Sequence, residues 1–199
     1  MTAVYDSLAK LYDPAFAPFE KLFLSKWRAE TLALLPADGT ILEVGCGTGA
    51  NFQFYPRCPH AVSSELSVEM LQVAKQKLIG NRLVQADAES LPFVDDGFDA
   101  AFATLVFCSI PDPETAFWEL SRVVKPDGKL ILLEHVRPPG VLGRVFDAVS
   151  VVTESLISDH FNRRTAEIAE SSGWKVARLD EKAARAVNLI VCENMKRDR

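Results

Sequence analysis

Residues 41–52, ILEVGCGTGANF, restrict the possible folds more than any other stretch of this chain. An apolar run passes directly into glycines at every second position, Gly45, Gly47 and Gly49. Glycine inside a strand weakens it and is tolerated where the backbone must take a positive φ or let another group approach closely. The stretch therefore reads as a strand end that turns sharply beside a bound group.

The rest of the chain supplies the sheet that such a strand needs. Apolar runs TILEVG (40–45), AVSSEL (61–66), RLVQAD (82–87), FDAAFATLVF (98–107) and KLILLEHV (129–136) alternate with segments of helical period. That is the pattern of βαβ units and a parallel sheet. The clearest helix starts at Asp112 as N-cap, with Pro113 in its first turn and Ala116, Phe117, Leu120, Val123 and Val124 on one face. KPDG at 125–128 is expected to stop it and turn the chain into the next strand. WKVARLDE and NLIVCENM follow, joined only by KAARAV, which predicts a terminal hairpin with one antiparallel strand.

The expected fold is α/β: a Rossmann-like, doubly wound, seven-stranded, mostly parallel sheet with a C-terminal antiparallel hairpin strand. One domain, 1–199, divides into an N-terminal helical lid (1–36), a ligand-binding core (37–136), an insertion and helix (137–172) and the terminal hairpin (173–199).

Charge and cysteine usage narrow the function. Residues 1–99 hold 8 Lys and Arg against 13 Asp and Glu, so the half that carries the glycines is acidic. An acidic setting favours a cationic ligand over a bare phosphate, and no basic stripe with interleaved aromatics suggests nucleic acid. Cys46, Cys58, Cys108 and Cys192 are dispersed, with no metal-like spacing to His60, His135 or His160, so reduced thiols and no metal are expected. No apolar run approaches the length of a membrane span, and MTAVYDSLAK lacks a signal-peptide core, which makes a cytoplasmic protein the default.

A glycine turn after the first strand and an acid at the end of the second grip an adenosine-containing ligand in open α/β sheets. Gly45-x-Gly47-x-x-Ala50 with Glu65 twenty positions on passes as a dinucleotide fingerprint, so a nicotinamide-dependent oxidoreductase is one reading. Glu43, two residues before the first glycine, would repel a pyrophosphate and suits positive charge. Asp87, with Ala88 beside it at the end of the third strand, adds a second acid facing an adenine amine. A sulfonium ligand, S-adenosylmethionine, meets these conditions, and the short chain leaves no room for a separate hydride-acceptor domain.

From LEVGCGTG through SSELSVEML, QADAESLPFVDDGFD and RVVKPDGKLILLEHV, the sequence resembles the class I S-adenosylmethionine-dependent methyltransferases of the small type-11 group. It is similar there to ubiquinone/menaquinone C-methyltransferases and bacterial phosphatidylethanolamine N-methyltransferases. The resemblance covers residues 40–136 strongly and the flanks loosely. It implies that Gly45, Gly47 and Gly49 pass under the methionine part of the cofactor. Glu65 would bind the ribose hydroxyls, Leu66 and Met70 would lie against adenine, Asp87 and Ala88 would meet the adenine edge, and Thr104 and Leu105 would border the methyl group. YDSLAKLYDPAF resembles a paired Tyr-Asp signature, which makes Tyr12 and Asp13, and less so Tyr5, lid residues.

His135, at the end of the fifth strand, is the candidate base. His160, Asp159, Asn162, Arg163 and Arg164 are acceptor-side candidates, the arginines suiting an anionic head group. His60 reads as a surface residue, and Cys46 and Cys108 as small buried hydrophobes. Two amphipathic stretches bear on the acceptor: 16–27, with Phe16, Phe19, Phe23 and Trp27 on one side, and 141–157, with Val141, Val145, Phe146, Val149, Val152 and Leu156. Such stripes are usually core contacts. If they instead overlie the carboxyl end of the sheet, they wall an apolar acceptor pocket. The first stretch, with Lys21, Lys26 and Arg28, then suits peripheral contact with the inner face of the membrane.

The expected function is methyl transfer from S-adenosylmethionine to a lipid-like or small apolar acceptor, a phospholipid amine or a quinone precursor, by a monomer or homodimer. The alternatives are a small-molecule thiol as acceptor and a non-catalytic cofactor-binding module that docks a partner.

Overall fold

A computed structural model describes residues 13–14, 17–18, 20–55, 60–78, 80–157, 160 and 162–196, of which the side chains of 152 and 154–157 are left aside. Seven strands form one sheet: β1 (Thr40–Val44), β2 (His60–Glu65), β3 (Arg82–Gln85), β4 (Phe98–Thr104), β5 (Val124–His135), β6 (Trp174–Lys182) and β7 (Val187–Asn194). Their order is β3-β2-β1-β4-β5-β7-β6. The pairs from β3 to β5 are parallel, and β7 runs antiparallel to both β5 and β6, as the paired runs at the C-terminus predict.

Among the described residues five α-helices flank the sheet: α1 (Ser25–Leu32), α2 (Val68–Lys75), α3 (Pro113–Val123), α4 (Gly140–Ile157) and α5 (Thr165–Ser171), with a π-helical turn, Glu20–Leu24, leading into α1. The helix read from sequence is α3, capped as expected by Asp112, whose carboxylate accepts from the Thr115 amide at 3.1 Å. Because strand side chains alternate, each strand feeds two cores. Leu42, Ala101, Ala103, Leu130, Leu132 and Ile190 pack with Phe107 and with Phe117 and Leu120 of α3. Ile41, Phe102, Ile131, Leu133 and Leu189 pack on the other face with Leu32 of α1.

Two boundaries differ from expectation. The KPDG stretch does not separate α3 from β5: the extended chain begins at Val124 and takes a bulge between the Phe98 and Ala100 registers, with Asp127 at φ 59°. β4 ends at Thr104 rather than continuing to Phe107, because Leu105 turns to φ 59° and the Glu134 carboxylate captures the next two amides.

The candidate cofactor site

β1 is the strand at which the winding reverses, with β2 on one side and β4 on the other, so the crevice at its carboxyl end is where an open α/β sheet binds ligands. The three glycines of the turn all take positive φ, at 67°, 54° and 81°, but for different physical reasons. A Cβ on Gly45 would stand 2.5 Å from Cγ1 of Val106, and one on Gly49 would stand 2.6 Å from the Phe52 ring. Those two are packing glycines. A Cβ on Gly47 would meet nothing within 4 Å, so here the backbone faces open space.

Glu65, at the tip of β2, binds this open backbone. One carboxylate oxygen accepts from the Gly47 amide at 2.9 Å, and the other accepts from the amides of Leu66 and Ser67 at 2.9 and 3.0 Å. Ser67 caps α2 by accepting from the Met70 amide. Beyond β3, Asp87 is exposed and accepts from the Glu89 amide at 2.9 Å, while the half-buried Ala88 packs on the first core. At the β4 end Leu105 is half-buried, and its amide donates to Leu133. The sheet thus brings Gly47, Glu65, Leu66, Asp87, Ala88 and Leu105 to one edge.

Three expected ligand contacts lie instead beneath that edge. Glu43 is 1% exposed, and its oxygens accept from Asn51 at 2.6 Å and from the Tyr55 hydroxyl. Burial holds its carboxyl above the ordinary carboxylate range, against the opposing pull of the Tyr55, Asn51 and Ser63 hydrogen bonds and the Arg28 charge. Thr104 is also buried, and its hydroxyl accepts from Asn51 and Arg28. Met70 is 3% exposed and offers no surface to the crevice. Strand alternation explains the first two: Glu43 and Thr104 share the face of Ile41 and Phe102, which α1 covers.

Arg28, suggested by sequence for a membrane surface, points inward. It is 6% exposed, pairs with Glu20 at 3.0 Å and donates to Asn51 at 2.8 Å. Sequence reasoning missed Asn51, Tyr55 and Glu134 as well. Glu134 is buried and accepts from the Val106 and Phe107 amides at 2.9 and 3.2 Å, which holds the loop after β4 against Gly45. A carboxyl closing a run of four leucines and isoleucines, LILLE, was the available signal.

Tyr12 and Tyr5 lie outside the described residues. Asp13 is present and accepts from the Thr48 hydroxyl at 2.6 Å while pairing with Lys77, so the N-terminal segment reaches the glycine turn. His135 is half-buried at the tip of β5, on the face of Ile131 and Leu133. His160 donates its amide to the Cys108 carbonyl at 2.9 Å, which brings the segment after α4 to the loop after β4. Asn162 accepts from Ser150 at 3.0 Å, the Arg163 carbonyl accepts from the Arg137 amide, and Arg164 pairs with Glu167; Asp159 is outside the described residues.

The apolar stripe on α4 is not core. Val141, Val145 and Val149 are exposed, with Leu142 and Val151 beside them, while Phe146 is half-buried. Phe23 is exposed too; Phe16 and Phe19 are not described. Cys46, Cys108 and Cys192 are buried, and burial, then the Glu43 and Glu65 charges, push the Cys46 thiol far up. Among the described residues no cluster suits a metal ion, and no helix is long and apolar enough to cross a membrane.

Comparison with known proteins agrees with this layout. Residues 42–132 match the family model described as a methyltransferase domain. Over 150 residues the chain is 37% identical to a demethylmenaquinone methyltransferase of Thermus thermophilus, which covers 68% of each chain. It is 31% identical over 151 residues to a thiol S-methyltransferase of Rattus norvegicus, covering 71% of this chain and 62% of that one. With a demethylmenaquinone methyltransferase of Clavibacter sepedonicus it shares 33% over 150 residues, and it spans only 61% of that relative's length. An S-adenosylmethionine-dependent methyltransferase of Thermotoga maritima has the same fold, with a TM-score of 0.76 over 98% of this chain and 99% of that one at 22% identity. The chain belongs to the S-adenosylmethionine-dependent methyltransferase family.

The residues at the crevice fit the cofactor of that family. Gly47 leaves room for a ligand against its backbone, and the Glu65 and Asp87 carboxylates stand at the end of β2 and just beyond β3, suited as hydrogen-bond acceptors for such a ligand.

Proposed function

We propose that this chain transfers the methyl group of S-adenosylmethionine to a small apolar acceptor, a quinone precursor in first place. The observation that carries it is the open backbone at Gly47 beside the Glu65 carboxylate, at the carboxyl end of β1. The 37% identity to a demethylmenaquinone methyltransferase supports the quinone class.

Bound there, the cofactor supplies a methyl carbon on a cationic sulfur; the acceptor's electron pair forms the new bond as the carbon–sulfur bond breaks and its pair stays on sulfur. The chain's own contribution is placement. Holding acceptor and methyl near contact can account for about 7–11 kcal/mol of the barrier. Glu65 holds the ribose, Asp87 and Ala88 the adenine edge, and Leu105 borders the transferred group. Asp13 ties its part of the chain to the turn through the Thr48 hydroxyl. A carbon or nitrogen acceptor also gives up a proton, and His135 at the β5 tip receives it. The enzyme works in the cytoplasm and takes its apolar acceptor from the inner face of the membrane.

A second reading has a thiol as acceptor, supported by the similarity to the rat thiol S-methyltransferase. A thiol is partly ionised near neutral pH and needs no base. The test is incubation with methyl-labelled S-adenosylmethionine and, in parallel, a prenylated quinol, an alkanethiol and phosphatidylethanolamine vesicles. Label is expected in the quinol, with a loss of roughly 10²-fold in His135→Gln. Label in the thiol alone, unaffected by His135→Gln, selects the second reading. Absence of binding to S-adenosylmethionine and S-adenosylhomocysteine in a calorimetric titration overturns both, and binding without turnover leaves a cofactor-dependent docking module.

A further inference from the structure

Beside the glycine turn lies a buried cation, Arg28. Arg28 is on α1, outside residues 42–132, and almost fully buried. Its Nε donates to both Glu20 oxygens, at 3.0 and 3.2 Å, and its Nη1 donates to Asn51 Oδ1 at 2.8 Å and to the Thr104 hydroxyl. Asn51 follows the glycine turn, and its Nδ2 donates onward to Glu43 at 2.6 Å and to Thr104 at 2.8 Å. One guanidinium therefore joins three parts of the molecule: the N-terminal segment, the turn after β1 and the end of β4.

A buried cation is costly unless its partners are in place. The planar fork of arginine serves a carboxylate on one edge and an amide and hydroxyl on another, a geometry an ammonium does not reproduce. The same N-terminal segment reaches the turn a second time, where Asp13 accepts from Thr48 and pairs with Lys77. Two separate ties from residues 13–28 thus converge on residues 48–51.

We propose that Arg28 is a positioning residue of the cofactor site: it fixes Asn51, and through it the second half of the glycine turn, so that cofactor affinity depends on the Glu20–Arg28 pairing that docks the N-terminal segment. This rests on the turn being the cofactor site. Arg28 is buried and acts through its hydrogen bonds to Asn51 and Thr104.

The test uses the full chain, with calorimetric binding of S-adenosylmethionine and S-adenosylhomocysteine, steady-state kinetics, and amide exchange at Gly49 and Phe52, whose hydrogen bonds close the turn. Glu20→Gln cuts the partly exposed end of the link and leaves the guanidinium in place. It is expected to weaken binding of both ligands roughly three- to tenfold, the range of one typical net hydrogen bond, and to speed exchange at both amides. Arg28→Lys is expected to raise KM for S-adenosylmethionine about tenfold or more while kcat at saturation stays within about threefold. Lys175→Ala, on β6 far from the turn, serves as control.

If the wild type binds neither ligand, the cofactor reading itself falls. If the wild type binds and Glu20→Gln binds within twofold with unchanged exchange, the proposal is overturned even should Arg28→Lys fail to fold. A lowered melting temperature with unaltered affinity in both variants likewise makes Arg28 structural only.

Discussion

Between Gly45 and Asn51 the polar groups of the turn are engaged one after another. Glu65 holds the Gly47 amide, Asp13 the Thr48 hydroxyl, Cys46 the Gly49 amide, and Arg28 and Glu43 the two ends of the Asn51 side chain. Along α4 the pattern reverses. That helix is tied by the Arg137–Asp147 pair at 2.7 Å and by the Ser150–Asn162 bond, while Val141, Val145 and Val149 face outward. The glycine turn is organised in advance, and α4 presents apolar surface with few fixed partners. A ligand common to a whole family rewards a rigid cradle, because little ordering entropy is then lost on binding. An acceptor that differs among relatives is better met by non-directional contacts, which tolerate changes of shape.

The sharpest way to break this contrast is to disturb the cradle at two glycines that look alike in sequence. Gly45→Ala puts a methyl 2.5 Å from Val106 in addition to the left-handed backbone. The expected loss of stability is about 2–5 kcal/mol, combining backbone strain with overpacking. Gly47→Ala carries only the backbone strain, about 1–2 kcal/mol, since its Cβ meets no protein atom. It should remain folded and lose cofactor affinity out of proportion, because the added methyl points into the ligand's space. Urea unfolding and calorimetric titration of the two variants give both quantities. Equal stability losses would mean that the turn is uniformly packed and that no cradle opens at Gly47.

That pair also marks where sequence reading stops. The seven strands, the doubly wound sheet and an antiparallel strand in the C-terminal hairpin are legible because alternation, length and turn residues are local signals. The importance of the three glycines was legible too, but not the division of labour among them, which depends on Val106 and Phe52 arriving from elsewhere. In sequence Glu43 reads as a ligand-facing charge, because an acid next to a glycine turn has no local explanation. The explanation is long-range: Asn51, Tyr55 and Ser63 surround it, and α1 closes the face. Arg28 was misplaced for the same reason, since its surroundings in sequence, SKWRAE, read as exposed helix. The Val141–Val145–Val149 stripe carried a helical period but no indication of which way it would face.

A smaller effect separates charge from packing inside the cradle. Burial raises the Glu43 carboxyl above its ordinary value of 4.5, so just above that value the unfolded chain has released a proton that the folded chain retains. The unfolded state then binds fewer protons, and this group makes stability fall as pH rises from about its ordinary value to its folded one, with no further change above. Glu43→Gln keeps the shape and removes the titration. It should lie within about 1 kcal/mol of the wild type at neutral pH, because replacing a buried charge is often neutral or favourable. Its stability should also decline less between mildly acidic and neutral pH. Urea unfolding at a series of pH values measures both. A loss above about 2 kcal/mol at neutral pH would show that the fold requires the charge, and the cradle would then be electrostatically pinned rather than hydrogen-bonded into place.

The smallest expected effect on stability lies on α4 and sharpens the contrast from the other side. Val141→Ser with Val145→Ser replaces two exposed side chains that contribute nothing to either core. Stability should stay within about 0.5 kcal/mol of the wild type, as for surface substitutions away from packed features, and cofactor affinity should not change. Turnover is where the change should appear: about 0.8 kcal/mol is at stake for each acceptor CH₂ that loses an apolar neighbour, so KM should rise for long-chain acceptors and hold for short ones. Comparing alkanethiols or prenylated quinols of increasing length measures this directly, because the slope of log KM against chain length reports how much apolar contact the protein supplies. An unchanged slope would remove α4 from the acceptor path and leave its outward valines to be accounted for by something other than the substrate. A flattened slope with intact cofactor binding would show that the glycine turn and α4 are energetically separable, which is the condition under which one cofactor cradle serves relatives with different acceptors.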